Sequence, residues 1–481
     1  MQNSHSFLHS TKYIALPYSL YKGPGAFFKT FACTQVLDPW NELCPPLGGK
    51  CAYDRFVALK QKNANLKTIL AVGGWNEGSD DFSVMASDPN KRQTFINSAI
   101  TLVNEHGFDG LDVDWEYPGL RGGNPDDKAN FVTLIQEFRE EFDKYRPPLL
   151  LSGALSPGKD TIDEAYDLPT LSQAFDIINV MGYDYHGAWD NFTHHNAPLC
   201  RYYLDSGEDI YYNVAYTVDY YLSLGLPPEK MVLGIPAYGR CWTLDDINDH
   251  GMLAPAHNPG NPGPYIRLSG TLGTNEICER LSEDSTNDCT VVHDPALHEP
   301  YFYCKSDKIW CGYDDADSVY LKARLAKNKG LAGAMVWTID TDDFQSLCYS
   351  EPFHIIKSIK RALSEPTGGD VLDCDSWITS TATELWECRD GQAIVMLCAG
   401  GTVWDDVLQI CNWEENVDIS NCNMWTCQVD NEYYAAEDCD KYYWCYQGSP
   451  HLEQCPNGLF WNQNVLQCED PSLVDTSFCN H

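Results

Sequence analysis

Residues 108–118 read Phe-Asp-Gly-Leu-Asp-Val-Asp-Trp-Glu-Tyr-Pro and place four carboxylates within eight residues of a strand-like apolar pattern. Side chains alternate between the two faces of a strand, so Asp112, Asp114 and Glu116 are predicted to share one face, about 7 Å apart in succession. Asp109 has the opposite parity and is expected to precede the strand or to support it from outside. Three carboxylates on one face repel one another, so at least one should keep its proton near neutral pH. Glu116, where the strand must end, has the position of a general acid.

Two non-catalytic interpretations of this segment fit less well. A calcium loop of the helix-loop-helix kind needs Gly at its sixth position and Glu at its twelfth. Counting from Asp109, those positions hold Asp114 and Leu120. A solvated acidic turn would not carry apolar residues at every alternate position. The sequence therefore favours a catalytic strand.

The pattern Asp-Gly-x-Asp-x-Asp-Trp-Glu-Tyr-Pro resembles the signature of glycoside hydrolase family 18, the chitinase family. The resemblance implies a retaining hydrolase in which the substrate supplies the nucleophile, an exception among glycosidases. In that mechanism Glu116 would protonate the bridging oxygen, and Asp114 would hold the acetamido N–H of the sugar. Asp112 would share a proton with Asp114, and Tyr183 would donate to the acetamido carbonyl. The resemblance also implies that further residues contact the sugars, namely Trp75, Met181, Asp184, Tyr238, Arg240 and Trp337.

The segments that follow residue 53 alternate between helical and strand patterns. Helices are predicted over residues 53–62, 88–105 and 127–145, and strands over residues 66–72, 149–154, 177–181, 231–236 and 333–337. Polar and aromatic residues follow the carboxyl end of each strand, where a (β/α)8 TIM barrel keeps its site. The sequence therefore predicts an α/β fold with such a barrel over residues 1–363.

Residues 1–35 are atypical for that barrel. Only Val36–Asn41 looks like the loop that follows the second strand in family 18, and Phe27–Ala32 is a candidate for that strand. We find no convincing first strand, so the sequence leaves open whether one or more N-terminal strands are missing. An unclosed barrel would leave unpaired strand edges.

The rest of the chain divides by composition. Residues 241–311 interrupt the barrel pattern with many Pro, Gly and Cys residues and are interpreted as a small α+β insertion that walls a cleft. Residues 364–372 are predicted to be a linker. Beyond it, the cysteines at 388, 398, 411 and 422 are separated by nine, twelve and ten residues, and those at 445, 455, 468 and 479 repeat the same intervals. The repeat predicts two copies of one disulfide-rich β module, 373–422 and 423–481.

The second copy resembles the peritrophin-A type chitin-binding module. That resemblance implies the disulfides Cys427–Cys445, Cys439–Cys479 and Cys455–Cys468. The first copy has Ala382 in place of its second cysteine and is interpreted as degenerate. Flat sugar faces stack well on aromatic rings, so binding in the second copy is predicted for about half of its aromatic set, with the others forming its small core. The candidates are Tyr443, Trp444, Tyr446, Phe460 and Trp461.

Composition narrows the partners and the compartment. Lys and Arg number 32 against 69 Asp and Glu, a net charge of −37 that disfavours nucleic acid and anionic membranes. No run of eighteen apolar residues is present, so no membrane span is expected. Twenty-one cysteines indicate an oxidising compartment, and their odd number leaves at least one thiol unpaired or bonded to another chain. The histidines lack ligand spacing, so no metal or cofactor is expected.

Two observations bear on secretion in opposite directions. Asn191-Phe192-Thr193 is a glycosylation sequon, which fits a secreted protein. Residues 1–20 have no basic start, apolar core or cleavage site of a signal peptide. We expect a secreted, extracellular monomer whose N-terminus in this sequence is not the native one.

The leading hypothesis is an endo-acting chitinase that cleaves β-1,4-linked N-acetylglucosamine and is anchored on chitin by its C-terminal module. The alternative is a chitin-binding lectin with a truncated, inactive barrel. The intact carboxylates favour the enzyme, and residues 1–35 keep the lectin open. A hydrolase of other N-acetylhexosamine glycans is a third hypothesis, which the chitin-binding repeat disfavours.

Overall fold

The structure is a computed structural model that describes most of the chain between residues 38 and 367. The described ranges are 38–202, 204–282, 288–294 and 299–367, single residues 34, 36 and 297, and strand segments within 12–16 and 383–469. The chain forms two compact units, Met1–Trp413 and Glu414–His481.

The described elements of the first unit alternate between strands and helices over most of its length. Its strands are β1 (Lys12–Leu16), β2 (Leu66–Gly73), β3 (Gly110–Asp114), β4 (Leu150–Leu155), β5 (Ile177–Val180), β6 (Met231–Pro236), β7 (Tyr238–Thr243), β8 (Asn258–Pro259), β9 (Thr271–Gly273), β10 (Cys289–Asp294), β11 (Glu299–Cys304), β12 (Ile309–Gly312), β13 (Gly333–Trp337), β14 (Thr383–Arg389), β15 (Gln392–Cys398), β16 (Thr402–Asp405) and β17 (Ile410–Trp413). Its helices are α1 (Pro39–Glu42), α2 (Ala52–Val57), α3 (Asp80–Ala86), α4 (Pro89–His106), α5 (Asp127–Phe142), α6 (Lys159–Ala165), α7 (Leu168–Ala174), α8 (Val214–Ser223), α9 (Thr274–Leu281), α10 (Ala316–Asn328) and α11 (His354–Ser364). Short 3₁₀ helices span Ala58–Gln61, Gly207–Tyr211 and Pro228–Lys230.

A parallel, TIM-like sheet organises the first unit. Its seven described strands follow the order β1-β2-β3-β4-β5-β6-β13, and every adjacent pair is parallel. Helices connect successive strands, as parallel pairing requires. All carboxyl ends of the strands therefore meet at one edge, and β3 lies near the middle of the sheet. The α/β barrel class predicted from the sequence is confirmed in this parallel β/α architecture.

The N-terminal strand corrects one expectation. The sequence analysis found no convincing first strand, yet Lys12–Leu16 pairs in parallel with Leu66–Leu70 in full register. The segment is too short to stand out locally, and tertiary pairing decides its conformation. The candidate strand Phe27–Ala32 lies outside the described residues. Within the described part of the chain, the parallel sheet has seven strands, and β1 and β13 are its two ends.

The alternation of β3 divides its side chains between two layers. Leu111, Val113 and Trp115 are almost completely buried against the helices. The Trp115 ring stacks on Phe82 of α3 with ring centroids 5.3 Å apart, and its edge meets Phe131 of α5. The apolar face is therefore fixed by the outer layer, which leaves the opposite face to the carboxylates.

The insertion is a second, antiparallel sheet with one helix. Its strand order is β10-β11-β12-β7-β8, and β9 pairs with β7. Disulfides Cys241–Cys311 and Cys289–Cys304 cross the sheet, and Cys278–Cys348 joins α9 to the loop after β13. The predicted small α+β insertion is confirmed, with β7 beginning directly after β6.

The C-terminal modules are described mainly as antiparallel strand pairs. In the first unit β14 pairs with β15, and β16 with β17. The second unit contains β18 (Tyr433–Ala435), β19 (Lys441–Tyr446), β20 (Ser449–Gln454), β21 (Phe460–Asn462) and β22 (Gln467–Glu469), paired as β18-β19-β20 and β21-β22. Cys455 and Cys468 form a disulfide. The other two pairings, Cys427–Cys445 and Cys439–Cys479, depend on side chains outside the described part.

Candidate active site

The carboxylates at the end of β3 lie on the inner face of the parallel sheet. Asp112 is 4% exposed and Glu116 is 8% exposed. Burial raises the pKa of Glu116 to about 7, and nearby Asp184 adds to the rise. Burial, reinforced by Glu116 and Asp112, raises the pKa of Asp114 well above its usual range. The site therefore holds protons near neutral pH, as mutual repulsion in a buried cluster requires.

Asp112 is held by two neighbouring strands. Its carboxylate accepts hydrogen bonds from the Ser152 hydroxyl on β4 and from Asn179 Nδ2 on β5, the latter at 3.0 Å. Burial raises the pKa of Asp112, and these two donors oppose the rise. Asp114 Oδ1, in contrast, is buried without a hydrogen-bond partner among the described residues. The sharing of a proton between Asp112 and Asp114 stays a prediction.

The two glycines at the end of β2, Gly73 and Gly74, give Asp114 room. Gly73 has φ of +109°, and a Cβ there would lie 2.1 Å from the carbonyl oxygen of Asp114. Gly74 has φ of +98°, and a Cβ would lie 3.6 Å from Asp114 Oδ2. Only glycine combines this backbone conformation with so close an approach. The Gly-Gly-Trp sequence thus brings β2 directly against the acidic strand.

Glu116 is surrounded by polar groups from two loops. The Tyr117 hydroxyl and the Trp75 backbone N–H both favour the ionised carboxylate and oppose the rise in its pKa. Arg121 Nη1 donates to the Glu116 carbonyl at 2.8 Å, and Nη2 donates to the Trp75 carbonyl at 2.9 Å. The positive charge of Arg121 also lowers the pKa of Glu116.

Trp75 forms an exposed aromatic surface beside the acid. Its side chain is 59% exposed, and the Arg121 guanidinium lies 3.6 Å from the centroid of its ring. One face of the ring is thus covered by a cation that is itself anchored to two carbonyls. Sequence reasoning selected Trp75 and missed Arg121, which follows the signature by a few residues.

A second polar network follows β5 and β6. Asp184 accepts from the Tyr238 hydroxyl at 2.6 Å and forms a salt bridge with Arg240 at 2.7 Å. Arg240 Nη1 donates to Thr271 Oγ1 on β9 at 2.8 Å. The backbone of Asp184 has φ of +60° and donates its N–H to Asn196 Oδ1. The structure thus brings together Asp184, Tyr238 and Arg240.

The remaining predicted site residues occupy different depths. Tyr183 is 5% exposed, its hydroxyl lies 3.9 Å from Met335 Sδ, and its ring meets Tyr238 edge-on. Burial and the charges of Asp114 and Asp184 raise the pKa of Tyr183, so its hydroxyl stays a donor. Met181 is buried in the core, and Trp337 is half-buried at the end of β13.

Asp109 takes the supporting role expected from its parity. Its carboxylate accepts from the Thr68 backbone N–H at 2.8 Å and pairs with Lys60 and Lys67. Although burial opposes them, these partners hold the pKa of Asp109 below its usual value. The ionised Asp109 carboxylate therefore connects the start of β3 to β2 and faces away from the other carboxylates.

The geometry can be compared with known proteins. The family model for glycosyl hydrolases family 18 matches residues 25–342. This chain belongs to glycoside hydrolase family 18. Models of the chitin-binding peritrophin-A domain match residues 381–422 and 427–476, so both C-terminal repeats belong to that domain family.

Both catalytic and non-catalytic proteins of the family are similar to this chain. Chitotriosidase-1 of Mus musculus is 39% identical over 321 residues, which cover 66% of this chain and 67% of that protein. The group IV chitinase of Ostrinia furnacalis is 41% identical with a TM-score of 0.65, covering 69% of this chain and 88% of that structure. Human YKL-39, described as a pseudo-chitinase that retains chitooligosaccharide binding, is 37% identical with a TM-score of 0.61, covering 65% and 85%. The chain spans about two thirds of the length of the curated relatives that it matches.

One cluster among the described residues has the side-chain types of a metal site. Cys278, Asp343 and Cys348 lie close enough together to suggest a metal site. The two sulfurs are joined in a disulfide and are therefore not thiolate ligands. In the described part, no helix is both long and apolar enough to cross a membrane.

Proposed function

We propose that this family 18 chain hydrolyses β-1,4 linkages between N-acetylglucosamine units of chitin and retains the anomeric configuration. The observation that carries the proposal is the buried carboxylate face of β3. There, Glu116 has a pKa of about 7 and lies beside Asp114, whose Oδ1 has no hydrogen-bond partner among the described residues. A carboxyl that is protonated near neutral pH can act as a general acid.

In the first step Glu116 donates its proton to the bridging oxygen as the glycosidic bond breaks. The acetamido oxygen of the same sugar attacks the anomeric carbon and forms an oxazolinium ion, so no protein nucleophile is needed. The Tyr183 hydroxyl donates to that acetamido oxygen and orients it. In the second step ionised Glu116 takes a proton from water, which opens the oxazolinium ring from the original face.

Asp114 acts on the acetamido N–H. Asp114 Oδ1 is buried and has no hydrogen-bond donor among the described residues. Leaving such an acceptor unsatisfied costs about 1–3 kcal/mol. An acetamido N–H would satisfy it, and its carboxylate would stabilise the positive charge that develops in the oxazolinium ion. Ser152 and Asn179 hold the Asp112 carboxyl close to Asp114. The repulsion between the two carboxyls favours protonation of one of them before substrate binds.

The exposed aromatic residues extend the site to a polymer. The exposed Trp75 ring can stack on a sugar, and Arg240 and Asp184 can make polar contacts with it. Trp337 lies at the end of β13. The peritrophin-A domains would hold the protein on chitin through aromatic residues of β19 and β21. An extracellular location fits the disulfides Cys44–Cys51, Cys241–Cys311, Cys278–Cys348 and Cys289–Cys304.

A second candidate is a chitin-binding protein without hydrolysis. It is favoured by human YKL-39, a similar protein that is described as a pseudo-chitinase with retained chitooligosaccharide-binding properties.

The test is hydrolysis of a chitin hexasaccharide by the full chain and by Glu116→Gln. We expect the unaltered chain to release products whose new reducing end is the β-anomer, seen by NMR before mutarotation. Glu116→Gln should bind the oligosaccharide and lose about 1000-fold in kcat, in the middle of the range for a general acid. If both proteins bound the oligosaccharide without cleaving it, the lectin hypothesis would be favoured over the hydrolase. An α-anomer product would refute the substrate-assisted step.

A further inference from the structure

The sequence contains one Asn-x-Ser/Thr sequon, Asn191-Phe192-Thr193, and the proposed reaction does not use it. The sequon lies in the loop after β5, where that loop meets the insertion. Asn191 is exposed at this surface, whereas Thr193 is completely buried. We infer that Asn191 carries an N-linked glycan, and that this glycan stands at the border of the substrate cleft beside Trp189.

The backbone of the sequon is fixed in an antiparallel contact with residues 253–256. Thr193 N–H donates to the Ala254 carbonyl at 3.0 Å, and Leu253 N–H donates to the Thr193 carbonyl at 2.9 Å. Ala256 N–H donates to the Asn191 carbonyl at 3.0 Å. The attachment point is therefore held by the insertion, and its exposed side chain can carry a bulky group without disturbing these bonds.

The hydrogen bonds of the Thr193 hydroxyl explain why residue 193 is a threonine without any modification. The structure gives no comparable reason for an asparagine side chain at residue 191. The buried Thr193 hydroxyl donates to the Gly251 carbonyl at 2.8 Å and accepts from Ala254 N–H at 3.0 Å. The ladder contact of Asn191 uses its backbone carbonyl, which any residue would supply. An asparagine side chain at an exposed position, two residues before a hydroxyl, meets the requirement for glycosylation.

The modification is a group transfer with a defined co-reactant. The side-chain amide nitrogen of Asn191 forms a bond to C1 of the terminal N-acetylglucosamine of a polyprenyl-pyrophosphate oligosaccharide. The bond between C1 and the pyrophosphate oxygen breaks, polyprenyl pyrophosphate leaves, and the amide loses one proton. The transfer acts on the chain before it folds, so the later burial of Thr193 does not prevent it.

The position of Asn191 places the glycan near the contact between Trp189 and Arg240, which borders the substrate if the proposed function holds. Trp189 is 58% exposed, and the Arg240 guanidinium lies 5.1 Å from the centroid of its ring. Residues two apart are separated by at most about 7 Å along an extended chain. Between them, the Asp190 carbonyl accepts from Trp242 Nε1 at 3.3 Å, which ties the turn to β7. The first sugars therefore begin within one sugar length or two of the Trp189–Arg240 side of the cleft.

The test is to express the full chain behind a secretion leader in insect cells and to map the peptide containing residue 191 by mass spectrometry. We expect that peptide to carry a hexose and N-acetylhexosamine glycan. Treatment with an amidase that releases N-glycans should convert Asn191 to Asp. Thr193→Ser, which keeps both the sequon and the buried hydroxyl, should remain glycosylated, and Asn191→Gln should not.

The result does not depend on enzymatic activity. Recovery of the unmodified Asn191 peptide as the main form from the secreted protein would overturn the inference, even if both variants failed to fold. If the glycan is present, its position is tested by iodide quenching of Trp189 fluorescence. The unaltered chain is compared with Asn191→Gln, and we expect iodide to quench Trp189 more strongly without the glycan. Equal quenching, once the contribution of Trp189 is isolated with Trp189→Phe, would refute the placement beside the cleft.

Discussion

Arg121 should set the pH at which Glu116 loses its proton. The pKa of Glu116 is raised from 4.5 to about 7, and the difference corresponds to about 3 kcal/mol in favour of the protonated acid. At pH 6 such a group is about nine-tenths protonated, whereas glutamate at its usual pKa is only about 3% protonated. The rise in pKa therefore supplies about thirtyfold more general acid at that pH.

The sign of the expected change follows from the charge. Arg121 is cationic and stabilises the ionised form of Glu116, which lowers its pKa against the stronger effect of burial. In Arg121→Met this stabilisation is lost, and we expect the pKa to rise by about half to one pH unit. The alkaline limb of kcat/KM, which reports the acid in the free enzyme, should move to higher pH by the same amount.

A matched variant separates the charge of Arg121 from its shape. Arg121→Lys keeps the positive charge but loses the planar group that lies 3.6 Å over the Trp75 ring. We expect its alkaline limb to stay near that of the unaltered protein while KM for chitin oligosaccharides rises. The assay is initial-rate hydrolysis of a fluorogenic chitobioside between pH 4 and 9. An alkaline limb that stays in place or moves to lower pH in Arg121→Met would refute the electrostatic argument.

Two further substitutions probe buried polar contacts. Ser152→Ala removes a donor to Asp112, and we expect a loss of about 1–3 kcal/mol in the free energy of unfolding together with a lower kcat; unchanged urea unfolding and unchanged kcat would contradict this. Lys322→Met leaves the buried carboxylates of Asp314 and Glu299 without their cation, which should cost about 3–5 kcal/mol at pH 7. Burial raises the pKa of both carboxyls, so they take up protons on acidification, and the loss measured by urea unfolding should be smaller at pH 5 than at pH 7; an equal loss at both pH values would argue against it.

The regular part of the barrel follows from local patterns. The strands predicted at residues 66–72, 231–236 and 333–337 agree with β2, β6 and β13 within a residue at each end. Helix α4 likewise begins after Asp88, whose side chain accepts from the backbone N–H of Asn90 and Lys91. Continuous apolar strand segments and capped helices are encoded by neighbouring residues, so a single sequence is enough to locate them.

The features that the sequence did not indicate depend on distant partners. Arg121 is unremarkable in the sequence, and its role depends on the fold bringing the Trp75 carbonyl within 2.9 Å. Lys322 lies in an ordinary helical pattern, yet it is completely buried between Asp314 of the preceding loop and Glu299 of β11. Strand β1 becomes evident only when β2 is placed beside it.

The contacts that position the acid come from a limited part of the chain, and this bears on whether the protein is an enzyme or a lectin. Trp115 Nε1 donates to Ser79 Oγ at 2.6 Å, and that hydroxyl donates to the Tyr117 carbonyl at 2.7 Å. The residues on both sides of Glu116 are therefore tied to the loop before α3, and Asp112 is tied to β4 and β5. All of these partners lie between residues 66 and 180. The position of the acid therefore depends on a segment whose hydrogen-bonding residues are all present in the sequence, which favours the enzyme over the lectin.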